Sequence, residues 1–420
     1  MTKKKIVNDP IHGFIDIPDG LIYELLEHPY VQRLRNISQM GLSYLVYPGA
    51  CHSRLSHALG SMHLMRQTLL SLQSKGHTIT PDEMEAAMCA ILLHDIGHGP
   101  FSHTLEYSMV ENIPHEALSL AFMKRLNLLF GGRLTTAIAI FDGSYPKRFL
   151  HRLVSGQLDV DRLDYLCRDS FFSGVAEGMI GLERIIKMLD VVDDELVVEA
   201  KGIYSVEKFL ISRRMMYWQV YLHKTVLSAE QLLLQILRRA KMLVARGDTL
   251  FTSPSLQLFL QQRVTLADFD RPDIIDAFAQ LDDSDIYSAA KVWCRADDAV
   301  LAQLCTMLVA RRLFKIELRP QPFAEGYIEQ LRHRTLPFIP PTPEALPYFV
   351  ISHYIVNKSY DEETGKIQIR YGKSELRDLY EVSDILNARA FAGVTKKYFV
   401  CYLKDIIPPA GNDDIHFNSI

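Results

Sequence analysis

Apolar residues along this chain recur first with a period of two and then with the three-and-four spacing of a helix, so the change of period marks the first structural boundary. Residues 5–17 (KIVNDPIHGFIDI) alternate β-branched positions with turn formers, which predicts a short strand or hairpin. From Leu21 to about Leu243 the spacing is helical. Thr80-Pro81-Asp82-Glu83 combines a capping box with proline at the first helical position, and Met84, Ala87, Met88, Ile91 and Leu92 follow as one apolar stripe. That helix is expected to deliver His94 and Asp95 at its C-terminal end. DDELVVEAKGIYS (193–205) predicts a hairpin inserted between helices, after which helical spacing runs on to about Phe314. Pro320, Pro322 and PFIPPTPEALP (337–347) then punctuate the chain, and PYFVISHYIV, KIQIRYG and KKYFVCYL are β-rich. The pattern predicts a mainly α domain over 1–314, with its motif-bearing core in 1–240, a short N-terminal hairpin, and a small α+β lobe over 315–420.

Composition narrows the partners. A 48% hydrophobic content over 420 residues fills a real core, and 46 Lys+Arg against 50 Asp+Glu leave no basic excess to attract nucleic acid or anionic membrane. Any anion site must therefore be local. No run of about 18 apolar residues is present and no apolar segment follows the basic start, so neither export nor membrane anchoring is expected. The six cysteines are scattered without a C-x-x-C pair, which suits buried fillers in a reducing cytoplasm.

Chemistry concentrates in four segments: SRLSHALG (53–60), ILLHDIGHGPFSH (91–103), IPHEALS (113–119) and QLDVDRLDYLCRDS (157–170). A lone histidine on an apolar face is usually a satisfied core residue, and His63 and His77 are read that way. His94, Asp95, His98 and His103 are different, because ten residues of an apolar helix end hold four ionisable groups. His94 and His98 stand at i, i+4, and Asp95 and His98 at i, i+3, so these groups are expected to share one helical face. Burying that many without a metal or counter-charge costs several kcal/mol each, so a purely structural role is disfavoured. Imidazole with carboxylate suits Fe, Mn, Zn or similar ions.

His57, then His94-Asp95, then Asp161 resembles the H…HD…D signature of the HD-domain phosphohydrolases. Within that superfamily, NDPIHG (8–13), QRLRNISQMG (32–41), YPGACHSRLSHALG (47–60), HDIGHGPFSH (94–103) and DVDRLDYLCRD (159–169) resemble the deoxynucleoside triphosphate triphosphohydrolases. The similarity covers roughly the first 240 residues, with RRLFK (311–315) a weak addition. It implies an HD helical bundle that hydrolyses dNTPs to deoxynucleoside and inorganic triphosphate. It also implies one divalent transition metal (Fe, Mn, Zn or Ni) on His57, His94, Asp95 and Asp161, with Mg accompanying the nucleotide phosphates. His98, His103 and His115 match histidines around the phosphates, His103 as general acid toward the leaving 5′-oxygen and Glu106 as its orienting carboxylate where the family commonly has Asp.

By the same resemblance, Arg54, Arg162 and Arg213 contact phosphate, and Gln39, Met40, Tyr165, Asp169, Tyr217 and Tyr221 shape the sugar and base pocket. Leu222 stands where animal members have a Gln that, with the residue matching Asp169, holds the sugar 3′-hydroxyl. For Asp159, Asp164 and Glu116 a surface or ion-pair role is as good a reading as chemistry. Lys5, Asn8, Glu27, Gln32 and Arg35 match positions that bind an activating nucleotide between subunits, which implies a homodimer or higher homo-oligomer. Glu27 replaces the family's guanine-reading Asp. Two other readings stay open: an HD phosphatase acting on another nucleotide or phosphoester, and a nucleotide sensor without turnover.

Overall fold

The computed structural model of the protein describes residues 5–104, 110, 113–358, 366–372, 375–385 and 394–406. It opens on an antiparallel hairpin, β1 (Lys5–Asp9) and β2 (Gly13–Ile17), closed around a left-handed Gly13. Among the helices that follow, α1 (Arg54–Ser74), α2 (Pro81–Leu93), α3 (His115–Leu129) and α4 (Val160–Ser173) carry the site. Beyond them come β3 (Leu189–Val192), β4 (Glu195–Glu199), α5 (Ile203–Met216) and α6 (Lys224–Ala245). The remaining elements used below are α7 (Asp283–Trp293), α8 (Ala299–Val309), β5 (Lys315–Arg319), α9 (Glu325–Thr335), β6 (Ile351–Lys358), β7 (Gln368–Tyr371), β8 (Glu375–Asp378) and β9 (Val394–Tyr402).

Backbone contacts divide the chain into two compact units. The first comprises Met1–Leu222, Thr252–Ile286 and Lys358–Gly393, and the second His223–Phe251, Tyr287–Asn357 and Val394–Ile420. The units interleave along the sequence, where the pattern of prolines had suggested one cut near residue 314. In the first unit, α1 lies against both α2 and α4, and its interior is apolar nearly all round: Leu55, Ala58, Met62, Leu64, Met65, Leu69 and Leu72 are buried. Ser53 caps α1 by accepting from the Ser56 amide, and the Thr80–Glu83 capping box at the start of α2 is fully formed. A four-stranded sheet of order β3-β4-β7-β8 completes this unit, with β4 and β7 parallel.

The inserted hairpin begins four residues earlier than expected. Asp193 and Asp194 are its turn, with φ of 50° and 67°, so LDVV before them forms one strand and ELVVE the other, while α5 already starts at Ile203. Paired aspartates tolerate the left-handed conformation that a two-residue hairpin turn requires, a preference the strand-like composition of 193–205 concealed. In the second unit, α6 packs on α8 and β5, and a sheet of order β5-β9-β6 covers a core of Phe323, Leu331, Val350, Val400, Tyr402 and Ile406. Among the described residues, no helix is long and apolar enough to cross a membrane.

Candidate functional site

The site begins where α1 meets α4. His57 on α1 is fully buried, and its Nδ1 lies 2.8 Å from Asp164 Oδ2 on α4. A Cβ on Gly60 would sit 2.0 Å from Asp164 Oδ1 and 2.3 Å from Arg168 Nη2, so only glycine lets the two helices approach this closely. Arg168, also fully buried, donates to both oxygens of Asp164 and to both of Asp9, while His12 Nε2 meets Asp164 Oδ1 at 2.6 Å. The β1–β2 turn is thereby tied to the carboxylate that orients His57. Asp164 thus fills the orienting ion-pair role rather than facing solvent.

With Nδ1 engaged, His57 turns Nε2 to a point shared with His94 and Asp161. His94 Nδ1 lies 2.6 Å from the Ile91 carbonyl, and its Nε2 faces the same point. Asp161 Oδ1 is 3.0 Å from His57 Nε2 and 3.4 Å from His94 Nε2, and the three ligand atoms fall within 4.8 Å of one another. Both Nε2 atoms are buried without a hydrogen-bond partner. Nitrogen lone pairs that converge while the opposite ring nitrogens are fixed fit a metal held with its outer partners in place. Electrostatics agree. Burial alone would lower the His57 pKa, yet the contacts to Asp161 and Asp164 outweigh it and push it up to about 10. Burial would likewise raise the Asp161 carboxyl, but His57 and His94 hold it below the usual range. Such a locus attracts positive charge.

Asp95 borders this group and a second one. Its oxygens stand 3.5 Å from His94 Nε2 and 3.6 Å from His57 Nε2 on one side, and 3.4 Å from His98 Nε2 and 3.9 Å from His115 Nε2 on the other. His98, His103 and His115 offer ring nitrogens within 4.8 Å of one another, His98 stacking on His115 at 3.8 Å between centroids. The expected shared helical face of His94 and His98 is not observed. Helix α2 ends at Leu93, and the next residues turn so tightly that a Cβ on Gly97 would lie 2.3 Å from the His115 carbonyl and the Ser119 amide. That turn sends His98 to the second group. Burial first, then the charges of Arg54 and His115, hold the His98 pKa well below its ordinary value, so the ring is neutral.

The loop that separates His98 from His103 has two consecutive residues, Phe101 and Ser102, with φ of 54° and 55°. Left-handed backbone costs non-glycine residues about 1–2 kcal/mol each, so other contacts must hold it. Arg33, buried against Phe122 and Phe278, donates to the carbonyls of Ile96 (3.1 Å) and His98 (2.7 Å). Asp283 accepts the amide of Phe101 at 2.6 Å. Neither residue was singled out as functional from the sequence: Arg33 lies within QRLRNISQMG with no role assigned to it, and Asp283 lies outside every motif.

The other expected residues divide. Arg54 is 2% exposed, pairs with Asp95 and donates to Ser102 Oγ at 2.7 Å. Arg162 pairs with Asp159, the N-cap of α4, which accepts the Arg162 amide at 2.7 Å. Arg213 keeps a buried Nη1 without a hydrogen-bond partner. Gln39 has a buried, unpartnered Oε1, and Met40 is buried. Tyr165 and Tyr217 meet Tyr221 edge-on at 6.3 and 5.8 Å. Tyr217–Tyr221 form a π-helical turn at the end of α5, a local widening that often marks functional sites, and Leu222 closes it. Asp169 accepts from Tyr221 Oη at 2.6 Å and lies 2.8 Å from His52 Nε2, a buried histidine stacked on Phe172 that sequence reasoning missed. Glu116 lies 3.4 Å from His115 Nδ1 and is largely exposed. Glu106 lies outside the described residues. Of the proposed regulatory positions, Lys5 pairs with Glu27, Gln32 donates to the Leu26 carbonyl at 2.6 Å and accepts from Arg35 at 2.7 Å, and Asn8 is exposed.

Comparison with known proteins finds two family descriptions on the chain, "HD domain" over residues 54–169 and "HD associated region" over 180–249. YwfO of Bacillus subtilis, an uncharacterised protein, is 33% identical over 339 residues, which are 78% of this chain and 76% of that protein. The Dictyostelium discoideum homologue of the deoxynucleoside triphosphate triphosphohydrolase SAMHD1 is 30% identical over 269 residues, 59% of this chain and 51% of its own. The chain therefore spans about half the length of that relative. The crystal structure of a phosphohydrolase from Bacteroides thetaiotaomicron superposes with a TM-score of 0.92 at 49% identity, over 96% of this chain and 100% of that one.

Proposed function

Because this chain belongs to the HD-domain phosphohydrolase family, we propose that it cleaves deoxynucleoside triphosphates to deoxynucleoside and inorganic triphosphate. The observation that carries the reading is the pair of buried, unpartnered Nε2 atoms of His57 and His94 aimed with Asp161 at one point beside Asp95. These four residues would hold a divalent cation, which supplies Lewis-acid stabilisation of charge developing on a phosphoryl group. The chain's own groups do the rest. Asp164 and the Ile91 carbonyl keep the two Nδ1 protons in place, so both imidazoles present Nε2 inward. The His98–His103–His115 group faces the phosphates, and His103 donates a proton to the departing 5′-oxygen. Arg213 supplies a cation whose buried donor awaits an acceptor.

Tyr165, Tyr217 and Tyr221 form the sugar side, and Tyr165 and Tyr221 crowd the 2′ position. Asp169 already serves Tyr221 and His52, and Leu222 offers no hydrogen bond, so grip on the 3′-hydroxyl is weak. One observation favours a different phosphoester as a second reading: Arg54 and Arg162 are both committed to carboxylates, which reduces the cationic reach expected for a triphosphate. Incubating the metal-loaded protein with the four dNTPs, the four NTPs and ddTTP, and identifying products, tests all readings. Triphosphate release supports the proposal, with ddTTP within about tenfold of dTTP, the worth of one net hydrogen bond. Orthophosphate release indicates another phosphoesterase, and absence of product indicates a sensor.

A further inference from the structure

We infer that Asp283, about 190 residues from the HD pair in sequence and outside both matched family regions, is a positioning residue for the phosphate-facing histidines. Its carboxylate accepts two backbone amides from two different segments: Phe101 N to Oδ1 at 2.6 Å and Ser38 N to Oδ2 at 2.9 Å. Ser38 starts the stretch that carries Gln39 and Met40, and Phe101 lies midway between His98 and His103. One side chain at the start of α7 thus fixes the spacing between the base-side segment and the histidine loop.

The two segments are already interlocked around that point. Ser102 Oγ donates to the Ser38 carbonyl at 2.5 Å and accepts from Arg54, which pairs with Asp95. A Cβ on Gly41 would lie 2.8 Å from Thr104 Oγ1 and 2.9 Å from the Phe101 carbonyl, so the backbone at Gly41 lies directly against the loop. The Ser102 amide donates to the Gly99 carbonyl at 3.1 Å, while the amide of left-handed Phe101 donates to the Asp283 carboxylate. Arg33 holds the same loop by its carbonyls, so the backbone from Ile96 to Phe101 is gripped by a cation at one end and an anion at the other. A charged acceptor makes the stronger bond to an amide, and neutral Asn at this place would offer one acceptor and one opposing donor.

This inference rests on His98, His103 and His115 being the phosphate-facing group, and the test separates the two claims. Asp283→Asn in the full, metal-loaded chain is compared with Asp285→Asn, whose carboxylate caps the same helix by accepting the Asp282 amide at 2.9 Å. Turnover of dTTP, metal per chain and amide hydrogen exchange over residues 38 and 99–104 are measured. Asp283→Asn should lower kcat at least tenfold with KM and metal content within threefold, and should speed exchange at Phe101 and Ser38, while Asp285→Asn behaves as wild type. Equal losses in both variants, a fall in metal content, or unchanged kcat overturns the assignment. If the wild type turns over no dTTP, the substrate proposal fails and the exchange comparison alone decides the role of Asp283. If no variant at 283 folds, wild-type exchange still decides: protected Ser38 and Phe101 amides support the clamp, and fast exchange there overturns it.

Discussion

The two histidine groups on either side of Asp95 are built by opposite means. His57, His94 and Asp161 project from or directly beyond regular helices, their orientation fixed by a glycine-permitted helix crossing and by partners on each Nδ1. His98, His103 and His115 gather through a tight turn, a left-handed loop and the first residue of α3, and His103 is exposed. The first arrangement suits a group that must hold one geometry with or without substrate. The second suits groups that meet a ligand arriving from solvent, since only there does exposure serve a purpose. Metal retention and proton donation should therefore be separable by mutation.

The largest expected effect tests the first group. Asp161→Ala removes its only carboxylate within 3.4 Å of both histidines, and should abolish metal retention and hydrolysis while far-ultraviolet circular dichroism stays near wild type. Stoichiometric metal with normal turnover would sink the ligand assignment. His103→Ala should produce the contrast: metal content preserved and turnover lowered on the order of 10²-fold or more. Loss of metal in that variant would merge the two groups into one centre and end the distinction. Asp164→Asn is the finest probe, because it keeps volume and leaves every ligand in place. The lost charge-assisted contact to His57 should weaken metal affinity by roughly 10–100-fold, with activity restored at saturating metal. A competition titration against a chelator measures this, and an unchanged affinity would show that helix packing alone orients His57.

The first group was legible in the sequence because its spacing survives in any helical frame: His57 within an apolar helix, His94 at the end of a capped one, Asp161 in the first turn of another. The partners were not. Asp164 reads as an ordinary acidic residue until Gly60 brings α1 against α4, and that approach depends on a glycine's missing Cβ, which no periodicity reports. His98 was placed on the face of His94 because the stripe gives no sign that the helix stops at Leu93. Asp283 and His52 act through backbone amides and through another side chain across long separations, so no local pattern marks them. The C-terminal segment was likewise read by composition alone, which does not tell that β7 and β8 join the sheet begun by β3 and β4.

That sheet has a consequence for biosynthesis. β4 pairs in parallel with β7, Val197 opposite Gln368, a separation of roughly 170 residues. At the ribosome's pace of about 5–20 residues per second, the hairpin edge waits on the order of ten to thirty seconds for its neighbour to be made. Throughout that interval the nascent chain carries an open strand edge bearing Val197 and Val198, an invitation to pair with another chain. Expression yield should accordingly depend on translation rate and on chaperone supply more than on the stability of the finished protein. Truncation before residue 368 would leave that edge permanently exposed, so shortened versions should accumulate as aggregates even with every residue of the HD region intact.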